Sequence, residues 1–396
     1  MVDRQGVVVV GGELVERGRR SEGSLTIEHG RISEVSHVSS SRSDRLEVNA
    51  EGLLVSPGLI DLQINGGHGI DLASEPERLW NLARRLPAYG VTSFQPTIVS
   101  SPPAIYQRAL AAFAERPQSH GGAEPLGLHF EGPMLNPSRA GAHNPDHLRT
   151  PSLDLVADWS PAGGVTMVTI APELPGALEV IGHLQSAGVV VSGGHSTATT
   201  DQASDALDAG MTMVTHLFNA MDPMHHREPN LAGFALAERE LTAGIIADGI
   251  HVDPVLVAVA WAAKGMSRLV LVSDAVAAHG LGPGRHRLGD REVIADETTV
   301  RTGDGVLAGA SLSLDAAVRN LIAFTGCGAE EALGAATATP AAVLSRSDLG
   351  VLMPGAWADL ALFDDELQVA LTLCKGQVSY VADAHRDRIT AELVDN

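Results

Sequence analysis

The chain has 396 residues, 44% of them hydrophobic and 19% charged, enough apolar material for one large folded unit and a smaller one. A formal net charge of -21, with only two lysines (Lys264 and Lys375), argues against a nucleic-acid partner, which needs a basic face. No apolar run approaches the ~18 residues of a membrane span, and the start "MVDRQGVVVVGG" lacks the pattern of a signal peptide.

Residues 6–50 open with alternating runs around a His29-Gly30 turn, "GSLTIEHGRISEVS", which predicts short antiparallel strands. Short apolar runs then alternate with helical patterns: "LLVSPGLIDLQ" (53–63), "VTSFQPT" (91–97), "LGLHFEG" (126–132), "VTMVTIAP" (165–172), "VVVSGGHS" (189–196), "MTMVTHL" (211–217), "AGIIADG" (243–249) and "RLVLVSDA" (268–275). Such runs read as buried parallel strands. Between them, "PGALEVIGHLQSAG" puts Leu178, Ile181 and Leu184 at helical spacing. "TTDQASDALDAG" starts at a Thr cap and stops at Gly210. "DPVLVAVAWAAKG" has Asp253 as N-cap, Pro254 in the first turn and Gly265 past the end. Eight strand–helix units over about 250 residues predict a (β/α)8 TIM-like barrel. The doubly wound alternative lacks a Gly-x-Gly-x-x-Gly after the first strand. Segment 282–305 reads as an insertion of short strands, and 350–382 returns to alternating runs, "ADLALF" and "ALTLCKGQVSYV". The expected division is a barrel over 53–349 and a small β-sandwich domain from 1–52 and 350–396. Two cysteines, Cys327 and Cys374, give no disulfide framework and point to a reducing cytoplasm.

On a barrel the catalytic groups sit at the C-terminal strand ends. That position collects Gln63 and Asn65, Glu131, His195, His216, Asp248 with nearby His251, and Asp274. Glu131, His195 and His216 form a carboxylate–imidazole–imidazole set suited to a catalytic divalent cation with an open position. Beside it, Asp274 can accept a proton from water and pass it to a leaving amine. His129, two residues before Glu131, reads as a packing residue or a support for the ligands.

The stretches "SPGLIDLQINGG", "GLHFEGPMLN", "GAHNP", "TIAPE", "VSGGHSTAT", "THLFNAM", "HHREPNLAG", "GIIADGIHVD", "LVSDA", "LAGASLSLDAAVRN" and "LGVLMPGAWADLALF" run in order from about 53 to 363. With them the chain resembles the amidohydrolase superfamily, and within it the deacetylases of phosphorylated N-acetyl amino sugars. The resemblance implies hydrolysis of the acetamide of an N-acetylglucosamine 6-phosphate, with the galactosamine epimer and a catalytically silent binding protein as alternatives. It implies Glu131, His195 and His216 as metal ligands, Asp274 as proton shuttle and His143 beside the acetamide oxygen. It further implies Ala142, Asn219, Ala220, Arg227, His251, Leu307, Ala308 and Gly309 around the sugar phosphate. Arg227 and His251 would reach the partner's site in a homodimer. Strand 1 ends Gln63-Ile64-Asn65 instead of His-x-His, and "TIAPE" has no lysine. One tightly held metal is therefore expected, zinc foremost, with iron, cobalt and manganese also compatible. A weaker second metal touching Gln63 or Asn65 stays open.

Overall fold

The computed structural model describes residues 6–16, 18–37, 45–117 and 121–390. The opening residues 1–5 and the tail 391–396, which the expected small domain includes, lie outside the described residues.

Eight parallel strands form the barrel wall: β1 (Leu59–Ile64), β2 (Val91–Val99), β3 (Leu128–Glu131), β4 (Val165–Ile170), β5 (Val190–Gly193), β6 (Met211–Val214), β7 (Thr242–Ile245) and β8 (Leu269–Leu271). They pair in chain order from β1 to β8. The seam closes just past β8, where Ile64 bridges Ala275 and the Asp274 N–H donates to the Gln63 carbonyl at 3.0 Å. All nine residues of β2 are buried, as expected of a strand covered on both faces.

The capped helices form as their sequences dictate. Thr199 and Gln202 make a reciprocal capping box on Thr200–Ala209, which ends at Gly210 with φ 115°. Asp253 accepts the Val255 N–H ahead of Pro254–Lys264. In Ala177–Ser186 the buried stripe is Ala177, Val180, Ile181 and Leu184. Leu178, expected in that stripe, is 42% exposed. The small residue Ala177 takes the inward position, and Leu178 falls one step round the helix.

The run 53–63 is not one strand. Leu54–Pro57 joins a second, nine-stranded sheet, where it pairs with Leu360–Phe363 and with Val7–Glu16. Only Leu59–Ile64 enters the barrel. The break falls at Gly58, where a Cβ would lie 2.0 Å from the Thr92 hydroxyl oxygen. The second sheet takes strands from both chain ends. Val7–Glu16 pairs with Arg19–Glu28, and Leu360–Phe363 with Val369–Cys374. Its hairpins turn at His29-Gly30 (φ 52° and 77°) and Lys375-Gly376 (φ 48° and 73°), two-residue loops with both φ positive that match strand twist. The fold is thus a TIM barrel with an extra β domain.

Segment 282–305 contains a three-stranded antiparallel sheet, Gly284–Leu288, Arg291–Ala295 and Val300–Thr302. Its first turn is fastened to the barrel mouth. The Gly289 N–H donates to buried Asp71 at 2.9 Å, and Asp290 accepts from Asn144 at 2.7 Å and contacts His147 at 2.9 Å. Arg291 donates to the Ala142 carbonyl at 3.3 Å.

Candidate active site and metal centre

The last residue of β3 and the residues just beyond β5 and β6 bring three side chains together. Glu131 Oε1 lies 3.1 Å from His195 Nε2 and 2.9 Å from His216 Nε2, and the two Nε2 atoms are 3.1 Å apart. All three residues are buried. His195 Nδ1 faces the Arg139 carbonyl at 2.8 Å, a contact that keeps the proton on Nδ1 and leaves the Nε2 lone pair for a ligand role. Burial alone would raise the Glu131 carboxyl. Its contacts with His195 and His216, and the nearby imidazole charge, outweigh burial and hold it well below the usual range. An ionised carboxylate and two Nε2 atoms converging in this way fit a divalent cation.

The backbone is forced at these strand ends. His195, His216 and Asp274 have φ of 50°, 28° and 48°, with Phe218 and Ala220 also in the left-handed region. Such conformations cost of order 1–3 kcal/mol each and cluster at functional sites.

Beside the ligands, Asp274 Oδ1 accepts from Asn65 Nδ2 at 2.7 Å and from Gln63 Nε2 at 3.1 Å. Gln63 Nε2 also lies 3.2 Å from Glu131 Oε1, so one amide spans the two carboxylates. Burial, and then the Glu131 charge, push the Asp274 carboxyl up to about 6. His143 Nδ1 is 3.1 Å from the Ser100 backbone N–H and 2.9 Å from its hydroxyl oxygen. An N–H donor at Nδ1 makes that atom an acceptor, so the ring proton sits on Nε2. Burial, then the His195 charge, lower the His143 imidazole to about 3. It is therefore a neutral hydrogen-bond donor at Nε2, which lies 3.8 Å from Glu131 Oε2.

These groups open into a cavity of about 400 Å³, within the range of small-molecule sites. Its wall includes Ala142, Asn219, Ala220, His251, Leu307 and Gly309, with Val99, Ile246, Leu288 and Val306 as an apolar side. Gly309 has φ 67°, and a Cβ there would stand 2.8 Å from the Asp274 carbonyl, so this close approach requires glycine.

Residues 54–382 match the model of the amidohydrolase family. The chain belongs to the amidohydrolase family. It is 41% identical to human N-acetylglucosamine-6-phosphate deacetylase over 350 residues, 85% of each chain. It is 37% identical to N-acetylgalactosamine-6-phosphate deacetylase of Escherichia coli O157:H7 over 372 residues, 92% of this chain and 97% of that one. Among solved structures, a Mycobacterium smegmatis N-acetyl-D-glucosamine-6-phosphate deacetylase variant, in complex with N-acetyl-D-glucosamine-6-phosphate, superposes with a TM-score of 0.87. It is 32% identical and covers 96% of this chain and 100% of its own.

In this amidohydrolase the residues expected from sequence separate into two groups. Gln63, Asn65, Glu131, His143, His195, His216 and Asp274 come together as described. His129 stays apart from the ligands: its ring nitrogens lie 3.3 Å from Thr97 Oγ1 and 2.7 Å from Thr169 Oγ1. Burial lowers its imidazole to about 4, so it is a neutral member of the buried polar layer one step down the strands. Ala308 is buried and lies between two wall residues. His251 stands on the cavity wall of its own chain. Asp248 holds it there, accepting the Ile250 and His251 N–H groups at 2.8 Å and contacting His251 Nδ1 at 2.6 Å. Arg227 is outside the cavity on an exposed loop, 2.9 Å from the His226 ring. Sequence reasoning missed Ser100, one residue past β2, and Glu173, three past β4.

Proposed function

We propose that this amidohydrolase hydrolyses the acetamide of N-acetyl-D-glucosamine 6-phosphate to D-glucosamine 6-phosphate and acetate. The observation that carries the reading is the proton-transfer geometry around the Glu131–His195–His216 cluster. Asp274 is held by Asn65 and Gln63, and His143 has its tautomer set by Ser100. Glu131, His195 and His216 would hold one divalent cation, zinc by preference of the donor set. Such a cation supplies Lewis acidity and a nucleophilic water near neutral pH. Ionised Asp274 accepts the proton of the attacking water and returns it to the leaving nitrogen. The His143 Nε2–H donates to the acetamide oxygen as negative charge develops there. Asn219, Ala220 and the Leu307–Gly309 strip frame the sugar. Gln63 and Asn65 hold Asp274 through their amide nitrogens.

All these residues lie between Gln63 and Gly309, which supports a catalytic unit over 53–349 carried by the small terminal domain. Arg227 supplies the phosphate contact from the partner subunit of a homodimer. Exposed Met224 near Arg227, with Ile250 after β7 and Val255, Leu256 and Val259 on helix Pro254–Lys264, support that assembly. Its compartment is the cytoplasm, in keeping with Cys327 and Cys374, both free thiols.

The decisive test is acetate release from N-acetylglucosamine 6-phosphate by metal-loaded protein. The galactosamine epimer and the unphosphorylated sugar serve as comparisons. Preference for the galactosamine epimer would shift the reading to the second relative's reaction. No release from either phosphate would end it.

A further inference from the structure

Strand β4 ends in "TIAPE", and its glutamate faces away from the cavity. Glu173 accepts hydrogen bonds from three residues on two neighbouring loops. Oε1 takes the Thr197 N–H at 2.7 Å, the Asn136 amide at 2.8 Å and the Thr197 hydroxyl at 3.2 Å. Oε2 takes the Ser196 hydroxyl at 2.7 Å. Charge-assisted bonds of this kind are about twice as strong as neutral ones.

Its partners surround one metal-ligating residue. Ser196 and Thr197 directly follow His195, and Asn136 donates its backbone N–H to the His195 carbonyl at 3.0 Å. His195 itself sits in the left-handed region, with φ 50°. A residue in that conformation persists only where its surroundings hold it. The Ser196 N–H and carbonyl are also tied, to the Ala220 carbonyl at 3.1 Å and the Asp222 N–H at 3.1 Å. Glu173 is the charged hub joining the β3 and β5 loops.

We propose that Glu173 is a positioning residue for the metal centre. Its carboxylate fixes Asn136 and the Ser196–Thr197 turn, and through them the direction in which His195 presents Nε2. The proposal rests on the reading of Glu131, His195 and His216 as the metal site. Glu173 touches neither the ligands nor the cavity, so its effect is on how well the cation is held.

The test measures zinc affinity by competition with a chromogenic chelator, and the melting temperature with and without zinc. It compares the parent, Glu173→Ala, E173Q and His195→Ala. Glu173→Ala is expected to bind zinc about 10- to 100-fold more weakly, the usual scale for losing a group that orients a ligand. Its zinc-induced rise in melting temperature shrinks with it. E173Q keeps the shape and one acceptor oxygen, and falls in between. A Glu173→Ala protein that binds zinc as the parent does overturns the proposal, provided His195→Ala binds poorly. If His195→Ala also binds like the parent, the metal-site reading is what has failed. Should Glu173→Ala not fold, E173Q decides: zinc leaves it at least about threefold faster, and a parent-like release rate rejects the role.

Discussion

The buried polar cluster and the exposed Arg227 loop are built differently. In the cluster, Glu131, His195, His216 and Asp274 are at most 8% exposed, and each is fixed by contacts within one chain. By contrast, Arg227 sits on an exposed loop beside Met224, which is 46% exposed, and has no carboxylate partner among the described residues. One chain therefore encloses the groups proposed for amide cleavage and leaves Arg227, the proposed phosphate contact, outside the cavity. The contrast teaches that the groups proposed for chemistry and for phosphate retention are placed separately, which is why the proposal draws the latter from a second subunit.

Stripping the metal is the harshest way to probe the cluster. Chelator-treated protein is expected to lose at least about 10⁴-fold in turnover and to recover on adding zinc, assayed as acetate release. Replacing Asp274 with Asn comes next: a loss of about 10²- to 10⁴-fold in kcat with metal content unchanged, measured by kinetics beside elemental analysis. On the loop, Arg227→Ala should raise KM for the phosphorylated sugar, lowering kcat/KM about 10- to 100-fold while kcat stays close to the parent's. Mixing Arg227→Ala with Asp274→Asn subunits sharpens the point. If Arg227 crosses the interface, mixed dimers assemble one site with both native groups, and activity rises above either variant alone. A smaller effect concerns pH. Asp274 must be ionised to take a proton, and its carboxyl lies near about 6, a value a nearby cation can only lower. The rate should therefore fall as pH drops through 6 or below. Asn65→Ala removes a donor to the ionised form and should move that limb upward, visible in a kcat/KM profile. The smallest effect concerns a helix cap: Thr199→Ala breaks the capping box and should cost about 1 kcal/mol in denaturant unfolding.

The barrel and the Glu131–His195–His216 cluster were legible because their signals are local. Buried parallel strands read as β-branched runs, and a carboxylate or imidazole straight after such a run has few structural uses. Scanning strand ends for ionisable groups, however, passes over a serine. Ser100 acts through its backbone N–H, which no side-chain pattern reveals. Glu173 lies three residues beyond β4, and its partners are on other loops, so its role exists only in three dimensions. The split of run 53–63 was hidden for a different reason. Leu54–Pro57 and Leu59–Ile64 are both fully buried, and the break between the two sheets falls at Gly58, where a side chain would strike Thr92. Likewise, the fastening of Gly289, Asp290 and Arg291 onto the barrel mouth joins segments about 150 to 220 positions apart, beyond any periodicity argument.

The seam of the barrel has one more implication. Glu131, His195 and His216 are all synthesised before β8, whereas Asp274 arrives with the hydrogen bond that joins last strand to first. On the proposed mechanism, the proton-transfer group is held in place by the same contact that shuts the cylinder, so turnover would report closure of the wall.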